Sequence, residues 1–192
     1  MTEQKQSRFR LHDADPKKLE RWWQALNGDE ITEQQYHVQS GGLAARARLR
    51  RAELPDDVLL TEAFALFLRQ VPDRWKSDEH LYVSAMVAAL FSHIKSQESS
   101  KHFITQLATG EKKDDSARMS ELRFKQLLKS RTPEEFFHRM LQAIHLLKGK
   151  VHLLSLVDGV LRWYDEYLYG PDNNPMNRLS VRWAQNYYKE SK

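Results

Sequence analysis

Four arginines, Arg46, Arg48, Arg50 and Arg51, crowd into Gly41-Gly42-Leu43-Ala44-Ala45-Arg46-Ala47-Arg48-Leu49-Arg50-Arg51-Ala52, a stretch with no acidic residue. Guanidinium groups present rigid forks of donors that match phosphate oxygens, so such a cluster is suited to binding a polyanion. Wound as a helix at ~100° per residue, the segment gathers Ala45, Leu49 and Ala52 on one narrow stripe and spreads the arginines around the rest. A second group lies in 116–131, where five basic residues face Glu121 alone. There the helical winding brings Arg118, Lys125 and Lys129 within ~40° of one another, while Met119, Phe124, Leu127 and Leu128 point elsewhere. Arg123 falls among those apolar positions. That favours a structural ion pair with a carboxylate, the alternative being a packed stem whose guanidinium emerges at a cleft. The bland reading of the first cluster is a solvated helix whose arginines pair with 53–79, which holds seven acids against three bases.

Catalytic chemistry finds less support. Glu135-x-x-His138 has the spacing of half a di-metal helix motif, but no second copy is present, and a surface or core histidine is the better reading. His12-Asp13 resembles the metal-binding dipeptide of helical phosphohydrolases but sits in the N-terminal tail without the supporting histidine and aspartate pattern. The adjacent acids Asp56-Asp57, Glu134-Glu135 and Asp165-Glu166 point ~100° apart on a helix and serve helix ends or solvent rather than an acid/base pair. No phosphate-cradling glycine loop, nucleophile elbow or His-Glu-x-x-His motif occurs. The chain is expected to be no enzyme and to use no metal and no cofactor. The aromatic groups Trp22-Trp23 and Trp163, Tyr164, Tyr167, Tyr169, Trp183, Tyr187 and Tyr188 read as core or subunit interface rather than base-stacking platforms.

The elements that must hold these residues read as helices. The chain has 192 residues with 41% hydrophobic and 29% charged, a composition that folds, and its length suits one good-sized domain. Only seven glycines and six prolines interrupt apolar spacings of three and four. Asp15-Pro16, Thr132-Pro133 and Asn174-Pro175 read as helix starts, and Thr132 with Glu135 as a capping box. Helices are expected near 16–26, 43–52, 56–71, 79–96, 117–130, 133–147, 151–168 and 175–189: an all-α, compact bundle of about eight helices. Lys148-Gly149-Lys150 turns one long helix back on the next. Residues 1–15 read as a flexible tail ahead of a helical domain over 16–192, with the polar stretch 96–116 as a mobile connection between two helical halves.

With no cysteine, disulfides and thiolate metal sites are excluded, and a reducing compartment is allowed. The longest apolar run, Ala85–Phe91, is far short of the ~18 residues of a membrane span, and the opening residues lack a signal-peptide core. The expectation is a soluble, cytoplasmic protein with no membrane partner. The net charge of +4 matters less than its concentration in two patches.

Several ordered motifs are shared with a known family. Arg21-Trp22-Trp23-Gln24-Ala25-Leu26 comes first, then Arg46 to Ala52 with Pro55, then Ala63-Phe64 with Leu68. Arg118, Ser120 and Arg123-Phe124-Lys125-Gln126-Leu127-Leu128 follow, then the Pro133 helix, Trp163, Trp183-Ala184 and Tyr187-Tyr188. Across most of its length the sequence resembles CasB, the small subunit of the type I-E CRISPR Cascade complex. The resemblance implies an all-helical, non-catalytic subunit, present as two copies beside the other Cascade subunits, that helps hold the guide RNA and the opened target DNA, including the displaced strand. It adds Arg123 to Arg46, Arg48, Arg50, Arg51, Arg118, Lys125 and Lys129 as candidate nucleic-acid contacts. The rival expectation is a helical adaptor whose arginines meet acidic surfaces of neighbouring subunits and touch no nucleic acid.

Overall fold

The structure, a computed structural model, describes residues 8–11, 14–112 and 115–191. Among them eleven α-helices follow one another: α1 (Ala14–Leu26), α2 (Glu30–Tyr36), α3 (Gly42–Arg50), α4 (Pro55–Leu59), α5 (Glu62–Gln70), α6 (Leu81–His93), α7 (Phe103–Ala108), α8 (Glu121–Leu128), α9 (Pro133–Leu146), α10 (Leu153–Tyr169) and α11 (Leu179–Glu190). Two single-turn 3-10 helices, 73–76 and 175–177, and two two-residue strands, β1 (Ser96–Gln97) and β2 (Lys150–Val151), complete the set. The all-α expectation holds.

Helix α6 is the axle. Every residue from Val83 to Ser92 is buried, so the helix is apolar all round and must be enclosed on all sides. Helices α1, α3, α4, α5, α9 and α10 supply the wall. On one side Trp22, Phe67 and Trp75 meet edge to face, with ring centroids 4.7 and 6.0 Å apart. On the other Phe136 stacks on Trp163 at 4.2 Å and Phe124 on Tyr187 at 4.0 Å. Each such ring buries large apolar area, worth ~1.5–3 kcal/mol over an exposed one. Most of the aromatic residues are therefore core, as their spacing suggests, with Tyr167, Tyr169 and Tyr188 exposed.

Local chemistry explains where the helices differ from expectation. The stretch 56–71 is two helices because Thr61 caps α5: its hydroxyl accepts from Phe64 N at 3.2 Å and donates to the Val58 carbonyl at 2.8 Å. Thr132 accepts from Glu135 N at 3.2 Å, but the Glu135 carboxylate reaches Arg131 N at 2.8 Å, so the capping box closes one residue early. Asn174 accepts from Met176 N at 3.1 Å and starts only a 3-10 turn before α11.

Residues 96–116 are more than a connection. They open with β1, which pairs in parallel with β2 through Ser96↔Lys150 and Gln97↔Val151, and they contain α7, whose Phe103, Ile104, Leu107 and Ala108 are buried against α10 and α11. The polar residues around these four mask a short amphipathic helix. The expected tail 1–15 also needs correction over 8–11. Phe9 is 1% exposed, its N–H donates to Asp165 Oδ1 at 3.0 Å, and Arg10 pairs with the same carboxylate at 2.5 Å. Among the described residues no helix is long and apolar enough to cross a membrane.

Candidate nucleic-acid interface

The four arginines of the first cluster divide by burial. Helix α3 puts Ala45 and Leu49 into the core, as the stripe requires, and that places Arg46 at the C-terminal end of α6. The last carbonyls of a helix have no intrahelical donors, and inside a protein something else must supply them. Arg46 does so, donating Nε to the Ser92 carbonyl at 2.9 Å and Nη2 to that of Ile94 at 3.2 Å, while Trp23 Nε1 also donates to Ile94 at 3.2 Å. Burial, with Arg50 nearby, holds the Arg46 guanidinium below the ordinary arginine range. Two of its five donors are thus committed inside the fold.

Arg48, Arg50 and Arg51 are exposed. Arg48 lies 3.8 Å from Glu62, which realises the expected pairing with the following acidic segment, and both side chains are well solvated. Such a pair is worth at most ~1 kcal/mol and yields readily to a phosphate. Arg50 lines a cavity of about 240 Å³ together with His93, Lys95, His145 and Lys148.

The second cluster sits on and around α8. Arg123 is exposed and lines a cavity of about 420 Å³ with Gln126, Arg139, Gln142 and His145, and no carboxylate is among the lining residues. The emergent-guanidinium alternative therefore describes Arg123, and the ion pair favoured by pattern does not. Lys125 is tied down: Glu121 lies 2.7 Å away and also accepts from the Tyr188 hydroxyl at 3.0 Å. Glu121 raises the Lys125 ammonium above the usual lysine range. Lys129 ends α8 with its side chain exposed, and Arg118 is half-buried.

His145 lines both cavities. It joins Arg50 from the first half of the chain to Arg123 from the second, through groups that carry no acid. Arg48, Arg51, Arg118, Lys125 and Lys129 line neither cavity. His93, Lys95, Arg139, His145 and Lys148 do, and sequence reasoning missed them because they are spread over 93–148 rather than gathered in one basic run. Arg139 also clamps α8 to α9, donating to the Gln126 carbonyl at 2.5 Å and to the Ser130 hydroxyl at 2.9 Å.

The enzyme-like motifs dissolve into structural contacts. His138 Nδ1 lies 2.8 Å from the Glu134 carbonyl and Glu135 pairs with Arg139 at 3.0 Å. Asp57 accepts from Leu54 N at 3.0 Å and Glu166 from Leu179 N at 2.7 Å, both serving helix starts. Asp165 is the exception, a buried hub for residues 8–10. His12-Asp13 lies outside the described residues. Among the described residues no three His, Asp or Glu side chains are grouped to hold a metal ion.

Comparison with known proteins bears on the family and the fold. Residues 45–188 match the family profile of CRISPR-associated protein Cse2. No curated protein sequence matches significantly. Among solved structures, the crystal structure of CasB from Thermus thermophilus superposes with a TM-score of 0.57 at 23% identity, covering 93% of this chain and 99% of that one, which shows a shared fold.

Proposed function

The chain belongs to the Cse2 (CasB) family of type I-E CRISPR Cascade subunits, and on that premise we propose that it is a non-catalytic small subunit that holds nucleic-acid backbone. The partners in this reading are the guide RNA, the opened target DNA with its displaced strand, the other Cascade subunits and a second copy of the chain. One observation carries it: Arg50, His145 and Arg123 join two cavities into a basic track with no acid among its lining residues. In RNA-guided recognition base pairing supplies sequence specificity, and protein contacts to the backbones tip a nearly balanced strand exchange. Cations facing phosphate suffice for that, and no base-reading group is needed.

Anisotropy of labelled single- and double-stranded DNA tests the reading, with wild-type protein and an R48E/R50E/R51E variant compared at low and near-physiological salt. Salt-sensitive binding in the wild type, lost in the variant at unchanged helicity, is the expected result. No binding by either at low salt overturns it and leaves the adaptor reading. Exposed Leu43, Leu60 and Leu122 give that second reading its observation, since they are apolar groups a neighbouring subunit can cover.

A further inference from the structure

We infer that the cavity enclosed by the ends of α3 and α6 and the turn after α9 seats one phosphate group, gripped by Arg50, Lys95 and Lys148 above His93 and His145. The inference rests on the backbone-binding reading above and assigns it a specific anchor point.

Charge comes first. Three cations and two imidazoles face one small space, and no carboxylate is among its lining residues. Lys148 does pair with Glu111 at 2.5 Å, but both side chains are largely exposed, and such a bridge opens at little cost. An internal carboxylate on one of the cations marks the kind of ligand the cluster accepts.

Size and preorganisation agree. At about 240 Å³ the cavity is too small for a drug-sized molecule and has ample room for an oxyanion, which its cationic lining favours over a neutral base. Its floor is held in place. The Gly149 carbonyl accepts from Lys95 N at 2.9 Å and from Ser96 N at 3.3 Å, and the β1–β2 pairing locks the turn to the segment after α6. Gly149 has φ +80°, and a Cβ there would lie 3.0 Å from Lys95 Cγ and 3.1 Å from the His93 carbonyl. Lys95 is thus laid against the turn before any ligand arrives, which lowers the ordering cost of binding.

An unsatisfied atom supplies the independent sign. His93 Nε2 is buried without a hydrogen-bond partner. Buried polar atoms in folded proteins nearly always have one, and because the His93 ring is only part-buried, a small turn of it would bring Nε2 to a phosphate oxygen. Burial, then Arg50, Arg46 and His145, push the His93 ring down to about 4. An anion among those same cations relieves that repulsion.

The test uses the full chain with 13C-labelled histidine, titrated with inorganic phosphate and separately with a 20-residue oligothymidylate, following the imidazole signals. Phosphate is expected to move the His93 and His145 signals. In an R50Q/K95Q/K148Q variant, altered only at exposed side chains and checked for unchanged helicity, the apparent affinity for phosphate should fall about tenfold or more. If the oligonucleotide moves the same signals at lower concentration, the phosphate belongs to a strand. If phosphate moves them and the oligonucleotide does not bind, the cavity stands as a small-anion site and the backbone-binding reading fails. If neither ligand moves His93, the inference is overturned, even where the oligonucleotide binds elsewhere on the chain.

Discussion

Arg8 and Arg10, beside residue 165, and Arg48, Arg50 and Arg51, on α3, are similar in composition and opposite in use. The first two lie 3.8 and 2.5 Å from an Asp165 carboxylate that is 1% exposed, and the segment they belong to also buries Phe9. The other three stand in solvent, with Glu62 beside Arg48 as a weak partner. A guanidinium neutralised by a buried acid holds the fold together, whereas one without such an acid is available to a polyanion. Burial of the partner decides between the uses, and arginine content does not.

The largest effect comes from removing the buried acid. Asp165→Ala strands the N–H of Phe9 and the Arg10 guanidinium, and is expected to lose about 3 kcal/mol or more of stability. In thermal denaturation, ~2–4 °C per kcal/mol for a domain of this size makes that a plain drop. The salt slope of DNA binding should not change at temperatures where the variant is folded. A changed slope would show that the residue-165 region and α3 are not separate in function.

Arg46→Gln comes next, and it breaks the comparison if Arg46 behaves like its neighbours in sequence. The Ser92 and Ile94 carbonyls lose charged donors, and ~1–3 kcal/mol of stability should go with them. Binding by the folded variant is expected to match the wild type. Arg48→Gln, Arg50→Gln and Arg51→Gln should show the reverse: stability within ~0.5 kcal/mol of wild type, and a salt slope lower by about one unit for each residue that meets a phosphate.

Acid titration sharpens the contrast from another side. His93 is held at about 4 in the folded chain by burial and by Arg50, Arg46 and His145, against ~6.5 for a free imidazole. Between those values the unfolded chain binds more protons, so stability falls as pH drops from about 6.5 toward 4 and is fully present above. His93→Gln should flatten that part of the melting-temperature profile. Arg50→Gln removes one of the cations responsible, so the folded His93 ring rises toward its free value, and the decline should become smaller and end at a higher pH without being abolished.

Helices were legible where their signals were local. The α9–α10 pair could be read from apolar spacing, Thr132-Pro133 and the Lys148-Gly149-Lys150 turn, and it forms as expected, with Lys148 at φ 55° and Gly149 at φ 80° making the left-handed exit. Thr61 hid because one hydroxyl inside an apolar run does not alter the period, yet it ends one helix and begins another. Helix α7 hid because four apolar residues among polar ones give too short a pattern. The candidate site was only partly legible. Charge density found α3 and α8, but Arg46 is indistinguishable by sequence from Arg48 and turns inward only because α3 crosses the end of α6. Lys95, His145 and Lys148 belong to no basic run like that of α3. They meet Arg50 through tertiary packing of α3, α6 and α9, which no window of sequence contains.

Lys125→Gln should have the smallest effect, and it asks how far a surface acid can imitate a buried one. Glu121 lies one helical turn earlier, 2.7 Å from the Lys125 ammonium, and is also hydrogen-bonded by Tyr188. Both charges are exposed and screened by solvent, so the pair adds little to stability and little should be lost with it. The same pairing already cancels most of the field that Lys125 would present to a strand. Its removal should therefore lower the salt slope by clearly less than Arg50→Gln does, and Glu121→Gln should strengthen binding at low salt by freeing the lysine. If Lys125→Gln instead costs as much slope as Arg50→Gln, exchange of the lysine from carboxylate to phosphate is nearly free. Exposed acids then do not decide which cations serve the strand, and only buried ones such as Asp165 do.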